Sequence, residues 1–219
     1  LGTIEPDAVG PTTTHEHLLL DFTCMFTPPE EASERQYAYE PVSMRNLGKV
    51  RYSPFSNRDN LLLLDEDGAI AEMLLYKKAG GGTVVDATTI GIGRDPLALA
   101  RIVRAVGINI VMGAGYYVGI THPDDMDDKT ESAIAQQIVD ELTIGVGDTG
   151  VRAGIIGELG CSWPLMDNEK KVLRAAATAQ GETGASILIH PGRNDAAPFE
   201  ILDILAESGA DLSRVVMGH

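Results

Sequence analysis

The chain is poor in cysteine, with only Cys24 and Cys161 among 219 residues. Two are too few for a disulfide framework, which points to a reduced, cytoplasmic protein rather than a stapled secreted one. It also lacks any apolar run approaching the roughly 20 residues that cross a bilayer, so no membrane segment is expected. The opening Leu1-Gly2-Thr3-Ile4-Glu5-Pro6 has no basic segment, no apolar core of a signal peptide and no initiator methionine. Positive charge is scarce too: 17 Lys and Arg stand against 32 Asp and Glu, a net charge of -15. Such a surface repels phosphates, which argues against nucleic acid and anionic membranes as partners and leaves a small-molecule substrate. No low-complexity tract is present, and no repeat beyond an alternation of strand-like and helix-like segments. The oligomeric state is not legible.

That alternation begins near residue 65. Helical spacing covers Asp65 to Ala79, with apolar residues at Ile70, Met73, Leu74 and Leu75 and a stop at Gly80-Gly81-Gly82. Further helices are predicted from Asp95-Pro96 through Ala105, from Glu131 to Leu142, from Asn168 to Gln180 and from Pro198 to Ser208. Between them, strand-like runs occupy Thr83 to Thr89, Asn109 to Met112, Val151 to Ile156, Ala185 to Ile189 and Val215 to Met217. A further strand is expected before His15, most of it preceding Leu1. Strands separated by helices imply a parallel sheet with crossovers. Residues 22–64 break the pattern and read as a long loop insertion after the first strand, either functional or a structural excursion over the barrel mouth. The whole of 1–219 is then one partial (β/α)8 barrel, about strands 1 to 6, lacking strands 7 and 8. A doubly wound open sheet competes, but Gly113-Ala114-Gly115 and Gly91-Ile92-Gly93 each lack the third glycine of a phosphate-binding turn.

Four of five histidines fall at strand ends, which favours the barrel. His15 and His17 are two residues apart in Thr14-His15-Glu16-His17, and on an extended segment they share a face. His190 ends Ser186-Ile187-Leu188-Ile189, and His219 ends Val215-Val216-Met217-Gly218. Neutral imidazoles suit zinc and other divalent transition metals. Each residue also has an ordinary reading: a surface pair for His15 and His17, a hydrogen-bonded structural histidine for His190 or His219. Glu158, between Gly157 and Gly160, follows an apolar strand. Buried, it demands a partner or a metal, and its two oxygens can bridge two ions; exposed, it is a plain loop glutamate. His122, in the acidic turn Thr121-His122-Pro123-Asp124-Asp125, is placed on the surface.

With these residues in view, the chain resembles the phosphotriesterase family of the amidohydrolase superfamily. The segment Gly10-Pro11-Thr12-Thr13-Thr14-His15-Glu16-His17-Leu18 is similar to the family's opening signature. Gly157-Glu158-Leu159-Gly160-Cys161-Ser162-Trp163-Pro164 and Ile189-His190-Pro191-Gly192-Arg193 resemble its phosphotriesterase-related branch. The resemblance implies a distorted (β/α)8 barrel holding two divalent ions, usually zinc. By position it places His15 and His17 on the more buried ion, His190 and His219 on the second, and Glu158 as the bridge, where many phosphotriesterases carry a carbamylated lysine. It implies one more ligand, an aspartate on the eighth strand that also handles the proton. That residue lies beyond His219, so no catalytic acid–base is expected in this chain.

The chemistry so implied is metal-assisted hydrolysis by a hydroxide bridging two ions. In the related branch it implies an amidase on N-acyl amino-acid-like substrates, N-acetyltaurine among them. Arg193 could meet an anionic substrate head, or be a surface arginine; Tyr116 and Tyr117 could line the pocket, with at least one of them packing instead. Three readings remain open: the amidase, a lactonase or phosphotriester hydrolase on the same site, and an inactive metal-binding fragment. The parent protein is expected to be the enzyme, and this chain alone to bind metal weakly, aggregate and hydrolyse nothing.

Overall fold

The computed structural model describes residues 2–219. Its strands are β1 (Thr12–Glu16), β2 (Leu20–Asp21), β3 (Leu62–Leu63), β4 (Thr83–Asp86), β5 (Asn109–Ala114), β6 (Ile155–Gly160), β7 (Ile187–His190) and β8 (Val215–Met217). Its α-helices are α1 (Ala32–Arg35), α2 (Leu47–Tyr52), α3 (Glu66–Lys78), α4 (Pro96–Val106), α5 (Glu131–Thr143), α6 (Asp167–Thr183) and α7 (Ala197–Glu207). Six strands form one parallel sheet in the order β1-β4-β5-β6-β7-β8. Parallel neighbours need a crossover, and α4 to α7 supply one each between successive strands from β4 to β8. The sheet curls into a half-barrel, six strands of a (β/α)8 fold. All strand C-termini therefore open on one rim. Among the described residues no helix is long and apolar enough to cross a membrane.

The helices form where local chemistry starts and stops them. Asp95 accepts from the Ala98 amide at the start of α4, Pro96 occupies the first turn, and Gly107 ends the helix at φ +70°. Thr130 caps α5 through the Ala133 amide. Their apolar faces, such as Leu99 and Ile102 of α4, Ile134 and Ile138 of α5, and Val172 and Leu173 of α6, pack on the sheet as one core. Each fully buried side chain of this kind contributes about 1.5–3 kcal/mol.

Three expectations are corrected. The first strand does not precede Leu1: it is Thr12–Glu16 and contains His15. Three β-branched threonines build it in place of an apolar run, and among the described residues before it lies a short turn at Pro6–Ala8. The strand expected from Val151 starts at Ile155 and runs on to Gly160, so Glu158 lies inside the strand and not after it. Val151 and Ala153 are instead tied to the end of α5, where the Ala153 amide donates to the Glu141 carbonyl. Residues 22–64 are not a bare loop: short helical turns, including α1 and α2, fill them. The segment leaves and returns through the antiparallel pair of β2 and β3. Buried Asn57 holds it together by donating to the Tyr37 and Glu40 carbonyls.

Candidate metal centre

Four strand ends meet at one carboxylate. Glu158 projects from β6 and is 1% exposed. Its Oε2 lies 3.0 Å from His15 Nε2, 3.3 Å from His190 Nδ1 and 3.5 Å from His219 Nε2; its Oε1 lies 3.3 Å from His17 Nε2. His219 Nε2 is also 2.8 Å from His190 Nδ1. The five residues singled out in the sequence thus come together. His15 and His17 reach the same carboxylate, as side chains two apart on one strand face should.

Backbone detail makes this approach possible. Gly157, at φ +112°, lies against the Leu188 carbonyl of β7, and a Cβ there would collide with that oxygen. Gly113 of β5 touches the Gly157 carbonyl in the same way from the other side. These contacts let β6 carry its carboxylate into the rim between two neighbours.

Burial alone would raise the Glu158 carboxyl, but His15, His17 and His190 outweigh it and hold it below the usual carboxylate range. Conversely, the Glu158 carboxylate raises His15 above the ordinary imidazole value, against the opposing effect of burial. Burial and the neighbouring His190 lower His219, whose side chain is the most open of the set at 47% exposed. Even so, His15 Nε2 and Glu158 Oε2 are buried with no hydrogen-bond partner despite their proximity. Leaving such atoms unpartnered is costly, and a cation between them would satisfy both. One ligand atom from each of His15, Glu158 and His219 lies within 4.8 Å of the others. Ligand atoms bound at about 2.0 Å around one tetrahedral ion stand about 3.3 Å apart, which is the spacing seen around Glu158. Four imidazoles and one carboxylate therefore fit divalent transition metals in both chemistry and spacing.

The whole chain, residues 1–219, matches the model of the phosphotriesterase family. The chain belongs to that family. It is 46% identical over 220 residues to an N-acetyltaurine hydrolase of Xenopus tropicalis, an alignment covering 100% of this chain and 63% of that protein. The chain thus spans 63% of the length of the curated relatives it matches. Among solved structures it resembles a resiniferatoxin-binding protein from Rhodobacter sphaeroides, with a TM-score of 0.95 and 40% identity over 99% of this chain and 60% of that one. It also resembles the Escherichia coli phosphotriesterase homology protein complexed with phosphate, with a TM-score of 0.77 and 29% identity over 97% and 63% of the two chains.

Beside the histidines opens a cavity of about 460 Å³, walled by Phe22, Phe55, Tyr117 and Trp163 and reaching His190 and Arg193. Arg193 is exposed and lies on its wall. Tyr116, expected to contact substrate, is turned away. It is fully buried and its hydroxyl donates to Gln137 Oε1 of α5 at 2.6 Å. Gly115, at φ +107°, separates the strand from this pair, and Tyr117 takes the inward side. The Tyr117 hydroxyl stands 3.3 Å from both ring nitrogens of His190. Burial, and then the Glu158 charge, raise its pKa, so it stays a neutral donor. His122 is likewise not a surface residue. It is half-buried against Tyr116, bonds the Tyr117 carbonyl at 2.8 Å, and is held below the ordinary imidazole value by burial. Phe22 and Phe55 come from the 22–64 segment, and no sequence pattern marked them as cavity residues.

Proposed function

We propose that this chain carries the metal centre of a hydrolase, with His15, His17 and Glu158 holding one divalent ion and Glu158, His190 and His219 a second. Zinc is the ion we favour. The observation that carries the reading is the meeting of four imidazoles on one buried carboxylate at the barrel rim, with two buried ligand atoms unpartnered. When bound, such ions supply Lewis acidity to polarise a carbonyl and to make a water molecule acidic near neutral pH. Glu158 stays ionised throughout, because the imidazoles hold its carboxyl low. Tyr117, a neutral phenol directed at His190, offers a hydrogen bond to a substrate oxygen. The apolar wall of Phe22, Phe55 and Trp163 excludes water from that side. Arg193 presents a guanidinium to an anionic end.

A small substrate with an acyl group at one end and a sulfonate or carboxylate at the other matches this layout. We therefore favour an amidase acting on N-acyl amino-acid-like substrates such as N-acetyltaurine, working in the cytoplasm. The N-acetyltaurine hydrolase relatives support this choice over a lactone or a phosphotriester. The test takes the protein at the length its gene encodes and follows taurine release from N-acetyltaurine beside a lactone and a phosphotriester. Amide turnover that a chelator abolishes and zinc restores is the expected result. Turnover of the ester substrates alone, or turnover indifferent to chelation, would overturn the proposal.

A further inference from the structure

Just behind His17 lies a buried threonine that takes no part in the donor set. Thr88 is 1% exposed, and its Oγ1 is 3.0 Å from His17 Nδ1. The same hydroxyl donates to the Leu19 carbonyl at 3.2 Å. A hydroxyl has one proton, and a carbonyl can only accept. With the proton committed to Leu19, Thr88 Oγ1 can only accept from His17, so His17 carries a proton on Nδ1. Its Nε2 is the nitrogen facing Glu158, and it is the one left to bind a metal once a cation displaces the proton it shares with that carboxylate.

The threonine is itself held in place. Buried Asp86, at the end of β4, accepts the Leu18 amide on one carboxylate oxygen at 2.9 Å and the Thr88 amide on the other at 3.1 Å. One side chain thereby fixes the distance between the segment after β1 and the segment after β4. The neighbouring Thr89 hydroxyl donates to the Glu158 carbonyl at 3.1 Å. Two successive threonines thus reach two different members of the cluster.

We propose that Thr88 is a positioning residue that sets the tautomer and ring orientation of His17, presenting Nε2 as a donor atom. Its effect on affinity rests on the metal reading given above; its effect on the tautomer does not. The test is the long-range proton–nitrogen spectrum of the imidazoles in the metal-free protein at the length its gene encodes, with His17 assigned by Thr88-independent substitution of His17→Asn. His17 is expected to show a protonated Nδ1. Thr88→Val, which removes the hydroxyl at nearly constant volume, is expected to shift His17 toward the form with Nδ1 bare. It should also weaken zinc binding by about 10–100-fold, the usual loss when an outer partner of a ligating histidine is removed. Thr88→Ser should restore both. A bare Nδ1 in the wild-type chain overturns the proposal, as does a Thr88→Val spectrum and zinc affinity equal to wild type. If the wild-type chain takes up no zinc, the metal reading fails and the spectrum still decides the role of Thr88. The wild-type spectrum needs no variant, so the test survives if Thr88→Val does not fold.

Discussion

At Gly157 a single missing Cβ decides whether the carboxylate can enter the rim. The residue sits at φ +112° with its backbone against the Leu188 carbonyl, and Glu158 follows it directly. Gly157→Ala must accept a disfavoured backbone conformation and push two strands apart, at a cost of about 3 kcal/mol or more. An unfolding free energy from urea titration lowered by that amount is expected, and an unchanged midpoint would contradict the packing described. Residue-scale features of this kind were unevenly legible. His15, His17, Glu158, His190 and His219 stood out because titratable groups at the ends of apolar runs are uncommon. Thr88 did not, because one threonine in Ala87-Thr88-Thr89 differs from its neighbours only through contacts with residues near position 18. The choice between Tyr116 and Tyr117 turned on the backbone at Gly115, and a pair of adjacent tyrosines cannot reveal which one faces inward.

Between the elements, one buried glutamate organises the wall of the cavity. Glu169, in the first turn of α6, is 1% exposed and accepts from the Gly119, Ser162 and Met166 amides and the Ser162 hydroxyl. It ties the loop after β5 to the loop after β6, and Trp163 rides on the second. Glu169→Ala leaves several amides without a partner and should cost about 2–4 kcal/mol. Trp163 is the chain's one tryptophan, so its emission reports on this wall directly. A red shift in emission with lowered stability is expected; native emission and stability in the variant would show that the clamp is dispensable. Helices were readable at this scale because caps, prolines and glycines mark their ends, as Asp95, Pro96 and Gly107 do for α4. Strands were less so. β1 is threonine-rich instead of apolar, and β6 owes its late start to Val151 and Ala153 packing on α5. Those are tertiary effects that override local pattern.

Across the whole molecule, the parallel order β1-β4-β5-β6-β7-β8 makes the site possible. It brings His15, Glu158, His190 and His219, spread over most of the chain, to one rim, which a periodic βα pattern already implied. Harder to foresee was the 22–64 segment, which has no helical or strand period yet carries Phe22 and Phe55 to the cavity. Its order depends on side-chain amides such as Asn57 meeting distant carbonyls, contacts that leave no mark on local sequence.

In the proposed centre Glu158 is shared by two groups of histidines to hold metal. Calorimetric titration with zinc of the metal-free protein at the length its gene encodes tests this, read beside the same titration of Glu158→Ala. Two zinc ions per wild-type chain and the loss of binding at both sites in the variant are expected. A wild-type chain that takes up no zinc, or a Glu158→Ala chain that binds it with unchanged stoichiometry and affinity, would contradict it.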